Sequence, residues 1–194
     1  MVQVEQALRR AERYWYEDGL VELGVGFVFL LIGGLFLVAA FTHEGTWVAI
    51  GLPVIVLGGA HVSRRLVRRA KERWVFPRTG LVEFRPARPV FRAAAALLAL
   101  GIAVFLQSFV PVLKDGRAEL PLTGLVVAAG LAWFGFRGRI GRFLVVAACS
   151  LAVAGAAARL PSSAGNAVFF GGVGLALALS GGFALARYLK EPRP

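Results

Sequence analysis

Residues Arg64–Arg92 read R-R-L-V-R-R-A-K-E-R-W-V-F-P-R-T-G-L-V-E-F-R-P-A-R-P-V-F-R, and everything on either side of them is long and apolar. The stretch holds ten of the chain's 22 Lys and Arg residues. Between it and the other charged blocks lie apolar runs of about 16–23 residues, the length a helix needs to cross a hydrocarbon layer roughly 30 Å thick. A backbone in that layer must satisfy its own hydrogen bonds, as a helix or a closed barrel. The runs lack the polar–apolar alternation of barrel strands. The expected fold is therefore all-α, an integral membrane bundle built as one domain over residues 1–194.

Composition points the same way. Charged residues make up 17% of the chain, below the quarter or so of a soluble domain. A net charge of +11 would suggest nucleic acid in a soluble protein. Here the basic residues sit in short blocks between apolar runs, as insertion into a membrane requires, so no nucleic-acid partner is expected. The single cysteine, Cys149, falls within an apolar run and has no intrachain partner. The first eighteen residues are too charged to read as a signal peptide.

Working outward from the basic stretch, six transmembrane spans are expected, at about 20–41, 46–63, 90–113, 120–136, 140–158 and 167–186. Residues 64–89 form the cytoplasmic loop. Within it, Arg64–Trp74 can continue the second span as a helix, and P-R-T-G at Pro77–Gly80 reads as the turn of a short hairpin flanked by Val75–Phe76 and Leu81–Phe84. The fifth span is short unless Arg142 and Arg159 snorkel to the two interfaces. L-P-S-S-A-G-N, residues 160–166, reads as an outer turn. Before the first span, Val4, Leu8, Ala11 and Trp15 recur at helical spacing, which predicts an N-terminal amphipathic interfacial helix. With six spans and the long loop inside, both termini are cytoplasmic. Nineteen Lys and Arg then lie inside and three outside, which fits a multi-pass protein of the cell inner membrane.

A G-x6-G-G pattern occurs at Gly26–Gly34, Gly51–Gly59 and Gly174–Gly182. Residues seven apart share a helix face, and small stripes let helices approach closely in lipid. Close packing of the first, second and sixth spans is expected. The same faces could also serve a homo-oligomer.

Polar residues within the spans are the natural site candidates. Glu22 and His61 lie at similar depths near the cytoplasmic boundary, and Arg92 at the start of the third span could join them as a candidate polar site. Glu17–Asp18 can cap the first span through its dipole or pair with the basic loop. Gln107, Ser108 and Ser150 read as interhelical hydrogen bonders. The candidate lipid- or partner-binding residues are Arg64, Arg65, Arg68, Arg69, Arg73, Trp74 and Arg78, with anionic lipids of the inner leaflet or a protein partner as ligand. No metal-ligand motif, paired cysteines or phosphate loop occurs, and no cofactor is expected. An intramembrane serine protease built on Ser180 and His61 is disfavoured, because its G-x-S-G string would need glycine where Ala178 stands.

Y-W-Y-E-D-G at Tyr14–Gly19 and W-V-F-P-R-T-G at Trp74–Gly80 resemble strings in uncharacterised small multi-span integral membrane proteins of prokaryotes. The resemblance covers about the first ninety residues and implies no activity. The expected function is non-enzymatic, binding lipid or a partner through the basic inner face. The alternative is a small channel or transporter with its polar site at the inner ends of the first three spans.

Overall fold

The computed structural model describes residues 18–43, 46–75 and 119–190. All elements among them are helical. α1 spans Leu20–Thr42 and α2 Thr46–Ala70, which runs on through one π-helical turn, Lys71–Val75. α3 spans Glu119–Gly138, α4 Gly141–Ala157 and α5 Ser162–Lys190. Three of these are long and apolar enough to cross a membrane: α1, α2 with its extension to Arg73, and α5. The apolar part of α3, Leu120–Phe136, and α4 are shorter. The interfacial helix and the third span fall outside the described residues, as does the P-R-T-G turn. Of the hairpin, Val75 is described, and it belongs to the π turn rather than to a strand.

The helices form an antiparallel assembly with α1 packed most extensively on α5, α3 on α4, and α2 on α1. The α1–α5 seam is made of small residues. A Cβ at Gly26 would come within 2.9 Å of the Gly174 carbonyl oxygen, and one at Gly33 within 2.6 Å of the Gly171 nitrogen. One at Gly19 would collide with the Gly181 carbonyl. Gly19, Gly26 and Gly33 are seven apart, as are Gly174 and Gly181, so two backbones stay close over several turns with no side chain between them. The glycine stripes of α1 and α5 are thus consumed within the chain. Each repeat contributes its first glycine and the first of its doublet. Beyond the seam, Phe170 stacks on Phe36 at 5.6 Å and lies 5.8 Å from Phe29. A core of Leu120, Val146, Ala154, Ala157, Phe169, Val173 and Leu177 fills the space between α3, α4 and α5.

Three local expectations change. α5 begins at Ser162, inside the stretch read as a turn. The Gly165 N–H donates to the Pro161 carbonyl at 2.7 Å, and proline just ahead of a helix is compatible with its start. Gly165 serves packing there, because a Cβ would meet Leu120 and the Ala157 carbonyl. Ser150 bonds within its own helix, donating to the Ala147 carbonyl at 2.8 Å rather than across to a neighbour. Arg159 is exposed, but Arg142 turns inward instead of snorkelling.

Candidate functional site

The first turn of α1 gathers charge. Gly19 takes a left-handed conformation with φ 70° at the N-cap. Its neighbour Asp18 turns back so that Oδ1 accepts the Leu20 N–H at 3.1 Å. Asp18 thus satisfies the Leu20 N–H from the residue before the N-cap, and it also reaches the basic stretch: its Oδ2 lies 2.7 Å from Lys71 Nζ. Both side chains are almost wholly buried.

Lys71 gets there by position. Gly51 abuts Leu35, Gly59 abuts Val28, and Ser63 and Val67 abut Gly24. These α2 residues are spaced by multiples of four along one face, and Lys71 is the next rung. It is the lone lysine in a stretch otherwise of arginines. A compact ammonium fits an enclosed point-charge site better than a planar guanidinium.

One turn further into α1, Glu22 is also buried. Its Oε1 accepts from Arg142 Nε at 2.5 Å, and its Oε2 accepts from the Ser180 hydroxyl at 2.8 Å. Arg142 opens α4 and Ser180 lies on α5, so one carboxylate ties three helices. With the Asp18–Lys71 pair, two ion pairs with buried carboxylates lie at this end of the bundle among the described residues.

The sequence candidates distribute as follows. Glu22 lies at the centre of this network. His61 is exposed on α2. The α1–α2 register sets Gly24 beside Ser63 and Val67, so Glu22 lies level with the helix beyond Ser63 and His61 with the turn near Val28. At about 1.5 Å per residue the two are several ångströms apart along the axis. Arg92 and Arg78 lie outside the described residues, and Trp74 falls in the π turn. Arg64, Arg65, Arg68, Arg69 and Arg73 are all exposed. Arg68 pairs with Glu72 at 2.9 Å, one turn along the same surface.

The expected pairing of Asp18 with the basic loop is made by Lys71, which the sequence reading does not single out, and nothing in the sequence marks Arg142 or Ser180 as partners of Glu22. Lys71 carried a signal in its four-residue ladder. Arg142 and Ser180 carried none, since their role depends on how three helices meet. Among the described residues, no three His, Cys, Asp or Glu side chains gather as a metal site requires. No family model matches the chain, and neither the curated proteins nor the solved structures searched contain a match.

Proposed function

We propose that the chain is a six-span protein of the inner membrane, both termini cytoplasmic, whose arginine helix binds anionic lipid headgroups without catalysing a reaction. The observation that carries this reading is the exposure of Arg64, Arg65, Arg68, Arg69 and Arg73 on an unbroken helical extension of α2. The lysine among them is turned away into the bundle. Arginines at the end of a membrane helix lie where phosphates lie, and each basic residue near that surface contributes about 1 kcal/mol.

Chain direction supports the span count. α2 ends and α4 begins at the end of the bundle that holds Asp18 and Glu22. α3 begins at the opposite end, where Leu120 approaches Gly165. In sequence, residues 76–118 lie between these two points, and the apolar run 90–113 has the length of one more span at about 1.5 Å per residue. The basic excess assigns the charged end to the cytoplasm. A channel or transporter would draw on the same Glu22. Its carboxylate is satisfied on both oxygens, and that favours the binding role over ion passage.

The test is binding of the full chain in neutral detergent to phosphatidylglycerol and to phosphatidylcholine, read by native mass spectrometry. Preferential retention of the anionic lipid is expected. Replacing Arg64, Arg65, Arg68 and Arg69 by Gln should weaken it by on the order of a hundredfold or more. Equal retention of both lipids by the unaltered chain would overturn the proposal.

A further inference from the structure

The arginine row begins well before the end of the bundle. Gly59 abuts Val28, and Ser63 and Val67 abut Gly24. This antiparallel register sets Arg64 and Arg65, both exposed, level with residues 22–24 of α1. Lys71, which meets Asp18 ahead of α1, lies roughly 9–10 Å further out at about 1.5 Å per residue.

Boundary residues recur at one spacing. On α2, Trp47 is 54% exposed and stands seventeen residues before Arg64, roughly 25 Å away. On α4, Arg142 lies at the level of Glu22, and exposed Arg159 follows seventeen residues later, just past the helix end. Trp133 of α3, 65% exposed, falls near the Arg142 level, because Gly135 beside it abuts Phe143 and Leu144. Tryptophan rings favour the headgroup boundary, and arginines are costly in hydrocarbon. α1 has a longer apolar run, Leu20–Thr42, but its first turn is not offered to lipid, since Leu20 and Glu22 are buried. The lipid-facing belt of these helices is thus about 25 Å tall, several ångströms less than a hydrocarbon layer of about 30 Å.

We propose that the protein thins the bilayer around itself and takes phospholipids with short acyl chains as neighbours in preference to long ones. This rests on the membrane reading above and deepens its lipid site, by placing the first bound phosphates at Arg64 and Arg65. A belt shorter than the bilayer draws headgroups toward the midplane, at a cost that grows with each ångström and that short chains avoid. Arg64 and Arg65 then meet phosphate without stretching along their stems. Arg68, Arg69 and Arg73 carry the row on into the headgroup layer.

Tryptophan fluorescence of the full chain in vesicles of brominated dioleoyl phosphatidylcholine tests this by competition. Dimyristoleoyl phosphatidylcholine should displace the quenching lipid severalfold more effectively than unbrominated dioleoyl phosphatidylcholine. Arg64→Leu/Arg65→Leu moves the charge boundary to Arg68, twenty-one residues from Trp47 or roughly 31 Å. That variant should lose most of the short-chain preference, and the arm on the unaltered chain stands even where the variant does not fold. Equal competition by both chain lengths, as arginines reaching to an undeformed bilayer would give, would overturn the proposal. So would a preference for the longer chains, or a folded variant that keeps the full short-chain preference. Repeating the comparison with phosphatidylglycerol of both chain lengths separates the two readings. A chain-length preference without a headgroup preference supports the thin belt and overturns headgroup binding alone. A headgroup preference without a chain-length preference overturns the thin belt alone.

Discussion

The ammonium of Lys71 lies 2.7 Å from Oδ2 of Asp18, with the two side chains 2% and 1% exposed. Such a pair gains its Coulomb energy in a poorly screened environment, but each ion also gives up its hydration. Its net contribution against an apolar pair is small, while the loss of one partner alone is severe. Lys71→Met should therefore destabilise the folded protein by about 3–5 kcal/mol, because Asp18 is left charged and enclosed. Adding Asp18→Asn should recover most of that loss. Thermal unfolding of the single and double variants in one detergent measures both, and equal midpoints for the two variants would contradict the expectation.

The glycine doublet at Gly33–Gly34 offers a test between adjacent residues. A Cβ at Gly33 would press on the backbone of Gly171, which cannot rotate away. Among the described residues a Cβ at Gly34 meets nothing within 4 Å. Gly33→Ala should cost about 1–3 kcal/mol through forced separation of α1 and α5. Gly34→Ala should be neutral or stabilise by up to about 1 kcal/mol, from the better helix propensity of alanine. Circular dichroism melts of both variants give the comparison.

That contrast bears on what the sequence could and could not convey. The ends of α1 and α4 follow from hydropathy almost to the residue, because an apolar run stops where charges or a tight turn begin. The seven-residue glycine period pointed to a close seam, since only small residues permit one. The pattern occurs in the first, second and last apolar runs, and the close seam forms between the first and last of these, α1 and α5, with α2 packed on α1 as well. The polar site was less legible. Glu22 stood out as an acid in an apolar run, but its partners lie 120 and 158 residues away. Depth counted from span ends suggested His61, whereas the helix register brings Lys71 to α1's first turn. Arg142 was assigned to water by its place near a span end, a rule that holds for an isolated helix and fails when a buried carboxylate lies within reach.

The turn between α3 and α4 carries a backbone constraint. Arg139 has φ 51° and is exposed, so it occupies the left-handed region without compensation from burial. Residues branched at Cβ are strongly disfavoured there, whereas asparagine is tolerated. Arg139→Val should destabilise the protein by about 1–2 kcal/mol. Arg139→Asn should be within roughly 0.5 kcal/mol of the original, like most exposed changes. Both variants lose the same charge, so the difference in their unfolding midpoints isolates the backbone effect.

Glu72 is the acid exposed among the arginines of the α2 extension, and its bond to Arg68 lies at the surface, with side chains 49% and 79% exposed. Exposed pairs at this spacing on a helix contribute only about 0.3–0.5 kcal/mol, since water and salt screen them. Glu72→Gln should therefore leave the unfolding midpoint nearly unchanged, in contrast to the change at Lys71. It should nonetheless affect binding. Removing the carboxylate frees Arg68 and raises the local charge by one, so retention of anionic lipid should strengthen by up to about 1 kcal/mol, or severalfold. The gain should shrink as ionic strength rises, because the added attraction is screened over about 8–10 Å in ordinary buffers. Lipid retention measured at low and high salt on the unaltered chain and on Glu72→Gln checks the direction. A variant that binds anionic lipid no better at low salt would show that the arginine row is not the surface that meets the headgroups.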